Sequence, residues 1–312
     1  MEKYITECIE SIYKEKRDDI QVIVINDGSS DNTYAICNEL GKKYSNLELI
    51  NKKNTGSMDS YIIGIDDAIG EYTCFLDSDD YLEDNYFETL DKYISYNSDI
   101  LLFDYYKCSK SNKEYCKINA IPYGLINDHT LSMLKDDYFG NYEKYSFYRW
   151  NKIYKTSLLK KVRGNINFRV TYFEDLFLEL LVLERTNTIY YIKEPLYDYR
   201  LRKSSVTHNV STKVFDDNRL MRSELLKHMQ LTGYRQRSIV NMEEYMDYGY
   251  IRYYLRSNDK QKRIAIPSSM ILKNRHPAHI RLILIYKLHL TKLFKIALQM
   301  RNSKSSCLDL FD

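Results

Sequence analysis

The stretch that decides the fold is IQVIVINDG, residues 20–28, in which a β-branched run is closed by Asn26-Asp27-Gly28. Such a run predicts a short buried strand that ends in a turn. A helix is expected to follow over residues 31–44, with Ser30 or Asp31 available as its N-cap. The stretch therefore predicts a strand–turn–helix unit whose acidic turn lies at the carboxyl end of the strand.

Strand–helix alternation continues on both sides of this unit. Upstream, apolar residues at helical spacing predict a helix over residues 3–13 with one buried face. Downstream, strands are predicted at residues 47–50, 72–76 and 99–106, and helices at residues 57–69 and 85–96. This alternation predicts an α/β domain with a mostly parallel central sheet flanked by helices.

The rest of the chain is less regular. Its predicted elements are an apolar helix at residues 173–183, which opens with Glu174-Asp175, and two short strands at residues 188–192 and 196–201. After these strands only helical segments are predicted. We therefore expect an α/β domain over residues 1–208 and a helical carboxyl-terminal region over residues 209–312, with the boundary near residues 207–212.

The composition is that of an ordinary globular protein. The chain has 312 residues, 44% of them hydrophobic, and its net charge of +3 by itself argues neither for nor against nucleic-acid binding. The six cysteines include no CxxC pair, no secretory signal is visible, and no apolar run approaches the roughly 18 residues of a membrane span. We expect a cytoplasmic protein with reduced thiols and no nucleic-acid partner.

An acidic cluster, Asp77-Ser78-Asp79-Asp80, directly follows the predicted strand at residues 72–76. Three carboxylates so close together repel one another unless a cation lies among them. Mg²⁺ or Mn²⁺ suits such a place, because it takes one or two carboxylates together with phosphate oxygens and water. Ligands of α/β sheets bind outside the carboxyl ends of the strands, which favours a metal site over the alternative of a solvated turn.

The turn at Asn26-Asp27-Gly28 has the same position at the end of its own strand. A carboxylate there can accept a hydrogen bond from a base N–H, and the helix behind it offers free N–H groups to phosphate. The alternative is a turn and helix cap, with Asp31 in that role. The chain contains neither a GxxxxGK[ST] loop nor a GxGxxG motif, so the residues of a P-loop or dinucleotide site are missing.

Several motifs taken together resemble the family 2 glycosyltransferases of the GT-A fold. The resemblance begins with VIVINDGSSDNT and AIGEYTCFLDSDDYL, and it covers roughly residues 2–206. Three downstream motifs agree with it in order and spacing: Trp150-Asn151-Lys152-Ile153-Tyr154, Phe173-Glu174-Asp175, and Tyr199-Arg200 with Ser204-Ser205. The resemblance implies an inverting glycosyltransferase that uses a nucleotide-sugar, in particular a UDP-sugar, and a divalent cation.

The resemblance also implies roles on the donor side. Asp27 would bind the nucleotide base, and Asp77 would contact the ribose or the metal. Asp79 would ligate the Mn²⁺ or Mg²⁺ that bridges the diphosphate, with Ser78 beside it in the donor site. This agrees with the chemistry, because a cation that neutralises the developing charge helps a sugar diphosphate to leave.

On the acceptor side, Asp175 would be the general base, and Glu174 would orient the acceptor or the base. A separate carboxylate for the proton gives one in-line displacement, hence inversion at the anomeric carbon. Trp150 is either a stacking wall for the acceptor sugar or a core residue. Arg200 and Arg202 are either phosphate ligands or solvated charges.

Two departures from the family pattern bear on activity. The usual first strand and P-x-Y-N turn do not precede the helix that starts at Lys3, and Tyr61-Ile62 stands where the family usually carries Arg-Asn. These differences leave open a non-catalytic relative that binds a glycan or a partner. A nucleotidyltransferase is a third class, but the chain has no basic glycine-rich loop to support it. His208 is a candidate for an additional metal ligand.

Residues 279–300, HIRLILIYKLHLTKLFKIALQM, form a basic amphipathic pattern. Such a helix either lies in a membrane interface or packs on the main domain with its lysines in solvent. The first reading fits a peripheral enzyme on the cytoplasmic face of a membrane, where lipid-linked acceptors for surface polysaccharide or glycoconjugate synthesis are assembled.

A flotation experiment tests this membrane contact. The full chain is expected to float with liposomes that contain anionic lipid and to bind neutral liposomes less, because anionic headgroups attract the lysines. A chain that ends at Lys273 should stay at the bottom of the gradient. Equal flotation of the two chains would show that residues 279–300 are not the anchor.

Overall fold

The structure, a computed structural model, describes four stretches of the chain. They are residues 1–118, 121–141, 145–202 and 213–256. The chain divides into two compact units, Met1–Leu201 and Arg202–Asp312, and the boundary expected near residues 207–212 lies outside the described residues. None of the helices within the described stretches is long and apolar enough to cross a bilayer.

Helices and strands alternate through most of the first unit, and the described part of the second unit consists of α8 and α9. The helices are α1 (Ile5–Ile12), α2 (Thr33–Lys43), α3 (Ser57–Asp67), α4 (Tyr86–Ile94), α5 (Asp128–Asp136), α6 (Thr156–Arg163), α7 (Glu174–Arg185), α8 (Lys213–Leu231) and α9 (Gln236–Arg256), with a 3₁₀ turn at Phe139–Asn141. The strands are β1 (Val22–Asp27), β2 (Leu47–Lys52), β3 (Tyr72–Cys74), β4 (Tyr81–Leu82), β5 (Ile100–Cys108), β6 (Lys113–Cys116), β7 (Gly124–Leu125), β8 (Lys152–Lys155) and β9 (Ile189–Arg200).

The predicted strand–turn–helix unit is confirmed as β1 and α2. Strand β1 pairs in parallel with β2, and the register runs from Val22 opposite Leu47 to Asp27 opposite Lys52. Helix α1 precedes β1 and buries Ile5 and Ile9 in a small core shared with both strands and α2. Asp27 is therefore the last residue of a fixed strand.

The α/β class is confirmed, but the larger sheet is mixed and not mostly parallel. Within the described stretches its strand order is β3-β8-β5-β9-β4, with β6 added to β5 and β7 to β9. The β5–β9 pair is parallel, and the other pairs in this sheet are antiparallel. The prediction extended the regular alternation of the first hundred residues, whereas β8 inserts between β3 and β5 and reverses the direction there.

The two short strands predicted at residues 188–192 and 196–201 are one strand, β9. Its register against β5 shifts on both sides of Asp104, where Ile192 is opposite Phe103 and Pro195 is opposite Asp104. The intervening Lys193 and Glu194 form a bulge, which bends a strand without ending it. The continuous strand carries Tyr197 and Arg200 toward the acidic turn after β3.

A buried ion pair connects β8 with α7. Lys152 and Glu179 are both fully buried, and Lys152 Nζ lies 3.2 Å from a carboxylate oxygen of Glu179. Lys152 also donates to the carbonyl oxygen of Ser146 at 2.7 Å and to that of Tyr148. Tyr154 donates its hydroxyl to the other carboxylate oxygen of Glu179. These bonds fix the loop before β8 against the helix that begins at Glu174.

The second unit, where described, is a helical pair. Phe215 of α8 packs on Tyr250 of α9 with ring centroids 4.9 Å apart, and the Asn218 amide donates to the carbonyl oxygen of Met246 at 3.0 Å. Arg222 forms an ion pair with Asp247. The helical character predicted for this region is thus observed in residues 213–256.

Glu179→Ala is expected to destabilise the protein by about 3–5 kcal/mol, because it leaves the Lys152 ammonium buried without its counter-ion. Urea unfolding followed by circular dichroism measures the loss. The matched control is Glu39→Ala, which breaks an exposed pair with Lys42 and should change stability by at most about 1 kcal/mol. Similar losses for the two variants would contradict a special role for the buried pair.

Candidate active site

The acidic cluster forms a turn between β3 and β4. The Asp77 N–H donates to the hydroxyl of Tyr197 at 3.1 Å, and the Asp80 N–H donates to the carbonyl oxygen of Asp77 at 2.9 Å. Asp77 and Asp79 are half-buried, whereas Asp80 is 1% exposed. The three carboxylates therefore do not share one environment.

Asp80 points into the protein and holds the turn. Its carboxylate accepts the hydroxyl of Tyr197 at 2.8 Å and the backbone N–H of Arg200 at 2.7 Å. Burial raises the pKa of Asp80 to about 8, and the negative charges of Asp77 and Asp79 add to this shift. Asp80 is consequently a structural residue of the turn, whereas Asp77 and Asp79 remain half-buried.

Arg200 clamps the same turn from the end of β9. Its Nε donates to the carbonyl oxygen of Asp79 at 2.7 Å, and Nη2 donates to the Glu7 carboxylate at 2.7 Å. The guanidinium also lies over the ring of Tyr81, 4.8 Å from its centroid. In the structure this side chain holds the acidic turn, and phosphate binding by Arg200 stays a prediction. Arg202 begins the second unit, and His208 lies outside the described residues.

The acidic turn offers two carboxylates to a cation. No group of three or more His, Cys, Asp or Glu side chains in the described part of the chain is arranged to hold a metal. Mg²⁺ and Mn²⁺ bound at a diphosphate need no such cage, because phosphate oxygens and water complete their coordination. Asp77 and Asp79, with Ser78 between them, therefore fit a cation that is brought in with a nucleotide but not a dedicated structural metal.

Asp27 lies at the end of β1 and ties down the loop before α3. Its carboxylate accepts N–H bonds from Thr55 at 2.8 Å and Gly56 at 3.0 Å, and it forms an ion pair with Lys52. Partial burial raises the pKa of Asp27, but the Lys52 contact and these bonds outweigh it and hold the pKa below its usual value. Gly28 follows with φ +65°, where a Cβ would lie 2.7 Å from the Asn54 nitrogen.

Glu174 and Asp175 form the first turn of α7. The residue before them, Phe173, has φ +68°, a conformation that costs energy for a bulky side chain and aims the start of the helix. The Glu174 carboxylate accepts the Ser57 hydroxyl at 2.9 Å. Burial raises the pKa of Asp175, with the charges of Asp77 and Glu179 acting in the same direction.

Arg149 is a site residue that the sequence did not reveal. Its guanidinium is 4% exposed, forms an ion pair with Asp175, and lies 3.8 Å from a carboxylate oxygen of Asp77 and 3.9 Å from one of Glu174. Burial lowers the pKa of Arg149 to about 10, which still leaves it charged at neutral pH. One cation thus connects the carboxylates of the β3 turn with those at the start of α7.

The Arg149 guanidinium also lies 3.3 Å from the centroid of the Tyr61 ring, a cation–π contact. At Tyr61 the sequence lacks the basic residue that the resemblance to the family led us to expect. The structure brings a cation to this position from the loop before β8. The one available signal in the sequence was an arginine inside the aromatic run YSFYRW, where a charged residue needs partners.

Trp150 is a core residue and not a stacking wall for an acceptor. It is 4% exposed, and its indole stacks on Tyr197, Tyr199 and Tyr148 with centroid distances of 4.6, 5.5 and 5.0 Å. A ring enclosed in this way has no face left for a sugar. Tyr148, the outer member of the stack, is 40% exposed.

The mixed sheet flanked by helices agrees with the GT-A fold that the sequence motifs resemble. The model of the family described as "Glycosyl transferase family 2" matches residues 1–177, more than half of the chain. The chain belongs to glycosyltransferase family 2.

Curated proteins similar to this chain include a glycosyltransferase and a teichoic acid biosynthesis protein. Glycosyltransferase GlyA of Streptococcus pneumoniae is 29% identical over 213 residues, which are 66% of this chain and 30% of that protein. The minor teichoic acid biosynthesis protein GgaB of Bacillus subtilis is 29% identical over 213 residues, 65% of this chain and 22% of that protein. The chain therefore spans less than a third of the length of these two relatives.

A solved structure supports the fold. The crystal structure of S. aureus TarS residues 1–349 in complex with UDP-GlcNAc superposes with a TM-score of 0.59 at 21% identity. The similarity covers 91% of this chain and 76% of TarS 1–349. At this identity the likeness concerns the fold.

Tyr197→Phe is expected to destabilise the protein by about 1–3 kcal/mol, because it leaves the buried Asp80 carboxylate and the Asp77 N–H each short of one partner. Thermal and urea unfolding measure the loss. The control is Tyr13→Phe, which removes a hydroxyl that donates to the neutral Asn46 amide at 3.0 Å. We expect the control to lose less stability, and the opposite order would contradict the role given to Tyr197 in the acidic turn.

Proposed function

We propose that the protein transfers a sugar from a UDP-sugar to a glycan or lipid-linked acceptor, with inversion at the anomeric carbon. Asp27 binds the nucleotide base, and Asp77 and Asp79 hold Mg²⁺ or Mn²⁺ together with the diphosphate. Asp175 takes the proton from the acceptor hydroxyl, and Glu174 orients the reacting groups. This assigns donor and acceptor chemistry to two separate sets of carboxylates.

The observation that carries the proposal is the meeting of these two sets at Arg149. Its guanidinium contacts Asp175 and lies 3.8 Å from Asp77, although the two carboxylates are nearly a hundred residues apart in the chain. A sugar held at the acidic turn would therefore have the carboxylate of α7 beside it. Proximity of this kind is what a direct displacement requires.

The residues of the acidic turn suit the leaving group. A bound divalent cation supplies charge neutralisation to the departing diphosphate. Asp77 and Asp79 are half-buried, so they can reach both a ligand and solvent, while Asp80 and Arg200 keep the turn backbone in one conformation. The turn is thereby organised before the donor binds, which avoids reorganisation during the reaction.

Asp175 suits the proton transfer. Its raised pKa makes it a stronger base than an ordinary surface aspartate. The contact with Arg149 acts in the opposite direction and favours the carboxylate form that can accept a proton. Glu174 is held by Ser57, so the pair at the start of α7 is oriented from the α3 side as well.

The relatives support the substrate classes. The TarS structure contains UDP-GlcNAc, which supports a UDP-sugar as donor, and the name of GgaB places that protein in minor teichoic acid biosynthesis, which supports an acceptor in surface-polymer synthesis. We place the reaction on the cytoplasmic face of the membrane, with residues 279–300 as the contact. Those residues lie outside the described stretches.

Two substitutions test the proposal. Asp79→Asn should abolish Mn²⁺-dependent UDP binding in calorimetry, because it removes a ligand charge from the cation. Asp175→Asn should spare UDP binding but lower transfer by at least about 100-fold, since an amide cannot take the proton. Transfer is measured as UDP release from a panel of UDP-sugars, with lipid-linked glycans extracted from bacterial membranes as acceptors.

The control is Asp91→Asn, which alters an exposed carboxylate of α4 that pairs with Arg17 and should leave binding and transfer unchanged. Full turnover by the Asp175 variant would refute the base assignment. A folded wild-type chain that binds no UDP in the presence of Mn²⁺ would refute the UDP-sugar donor.

A further inference from the structure

Arg149 is a deeply buried cation. The residue as a whole is 3% exposed, and its Nε is buried with no hydrogen-bond partner among the described residues. A guanidinium removed from water loses much solvation energy, which only well-placed partners recover. The position of Arg149 is therefore set by its surroundings in the site.

Charge and an aromatic ring together hold the guanidinium. The carboxylates of Asp77, Glu174 and Asp175 surround it, with Asp175 in direct contact, and the face of the Tyr61 ring lies 3.3 Å away. The Tyr61 ring is thus the aromatic part of the surroundings of Arg149, and the three carboxylates are the charged part.

The ring and the loop are in turn fixed by the core. Tyr61 packs edge-on against Phe75 at 5.6 Å, and Phe75 packs against Tyr154 at 6.0 Å. Tyr154 donates its hydroxyl to the buried Glu179, and Lys152 bonds the carbonyl oxygen of Tyr148, the residue before Arg149. Both the ring and the arginine are therefore anchored to the same buried ion pair.

We propose that Arg149 is a positioning residue that keeps the Asp175 carboxylate aligned for proton abstraction, and that Tyr61 holds Arg149 in place through the cation–π contact. The proposal rests on the proposed function, because it takes Asp175 as the base. Arg149 contributes to the chemical step through Asp175 and does not serve as a ligand of the nucleotide. Its loss should consequently lower kcat and leave donor affinity intact.

Kinetics of Arg149 variants separate this role from donor binding. Arg149→Gln should lower kcat by about 100-fold, the cost of a misplaced reacting group. The affinity for UDP with Mn²⁺, measured by calorimetry, should stay within twofold of wild type. Arg149→Lys should recover part of kcat, because it keeps the charge but not the flat group. The control is Arg163→Gln, which breaks an exposed pair with Asp66 and should change neither quantity.

A double-mutant cycle tests the part assigned to Tyr61. Tyr61→Phe keeps the ring and should behave as wild type, whereas Tyr61→Leu should lower kcat about tenfold. Because the ring acts through Arg149, Tyr61→Leu should have no further effect when combined with Arg149→Gln. Circular dichroism and thermal unfolding establish that each variant is folded. If Arg149→Gln does not fold, the comparison of Tyr61→Leu with Tyr61→Phe decides.

Three results would overturn the proposal. These are an unchanged kcat in Arg149→Gln, a loss of UDP affinity with kcat intact, and equal kcat in Tyr61→Leu and Tyr61→Phe. The second would make Arg149 a donor ligand. All three require a wild-type chain that binds UDP and turns over in an Asp175-dependent manner, so they are distinct from a failure of the transferase function itself.

Discussion

The constraint on which this structure depends is the burial of negative charge. The β3 turn and the first two turns of α7 bring six carboxylates into one region, and Glu179 and Asp80 among them are shielded from water. Buried carboxylates need cations or hydrogen-bond donors, or they protonate. Two buried cations from one short stretch of chain, Arg149 and Lys152, meet this need at α7, whereas Asp80 accepts hydrogen bonds from Tyr197 and Arg200.

Those two cations have different roles: Lys152 stabilises the fold, and Arg149 contacts the candidate site. Lys152 neutralises Glu179 and ties the loop before β8 to the body of α7, away from solvent. Arg149 lies three residues earlier and reaches the outer carboxylates at the helix start. The buried pair of Lys152 and Glu179 therefore supports the more exposed contact between Arg149 and Asp175, as a site with precise geometry requires.

The sequence predicts the first half of the fold well and the second half less so. Strands β1, β2, β3 and β5 were predicted because each has its own apolar run and turn. The two-residue β4 was not predicted, and β8 was missed because its first residue is the buried Lys152, which breaks that pattern. Strand direction depends on pairing partners far along the chain, so the mixed sheet could not be predicted locally. Asp77, Asp79 and Asp175 were proposed as site residues because they lie in motifs. Arg149 was not, because its partners are distant in the chain.

Tyr61 shows how a cation can reach the candidate site from an unexpected segment of the chain. The resemblance to the family led us to expect a basic residue on α3, and the chain has a neutral aromatic one there. In the structure the Tyr61 ring packs against the guanidinium of Arg149, which comes from the loop before β8. The local electrostatic field at such a place can therefore be supplied by a residue from a different segment of the backbone than the sequence motif suggests.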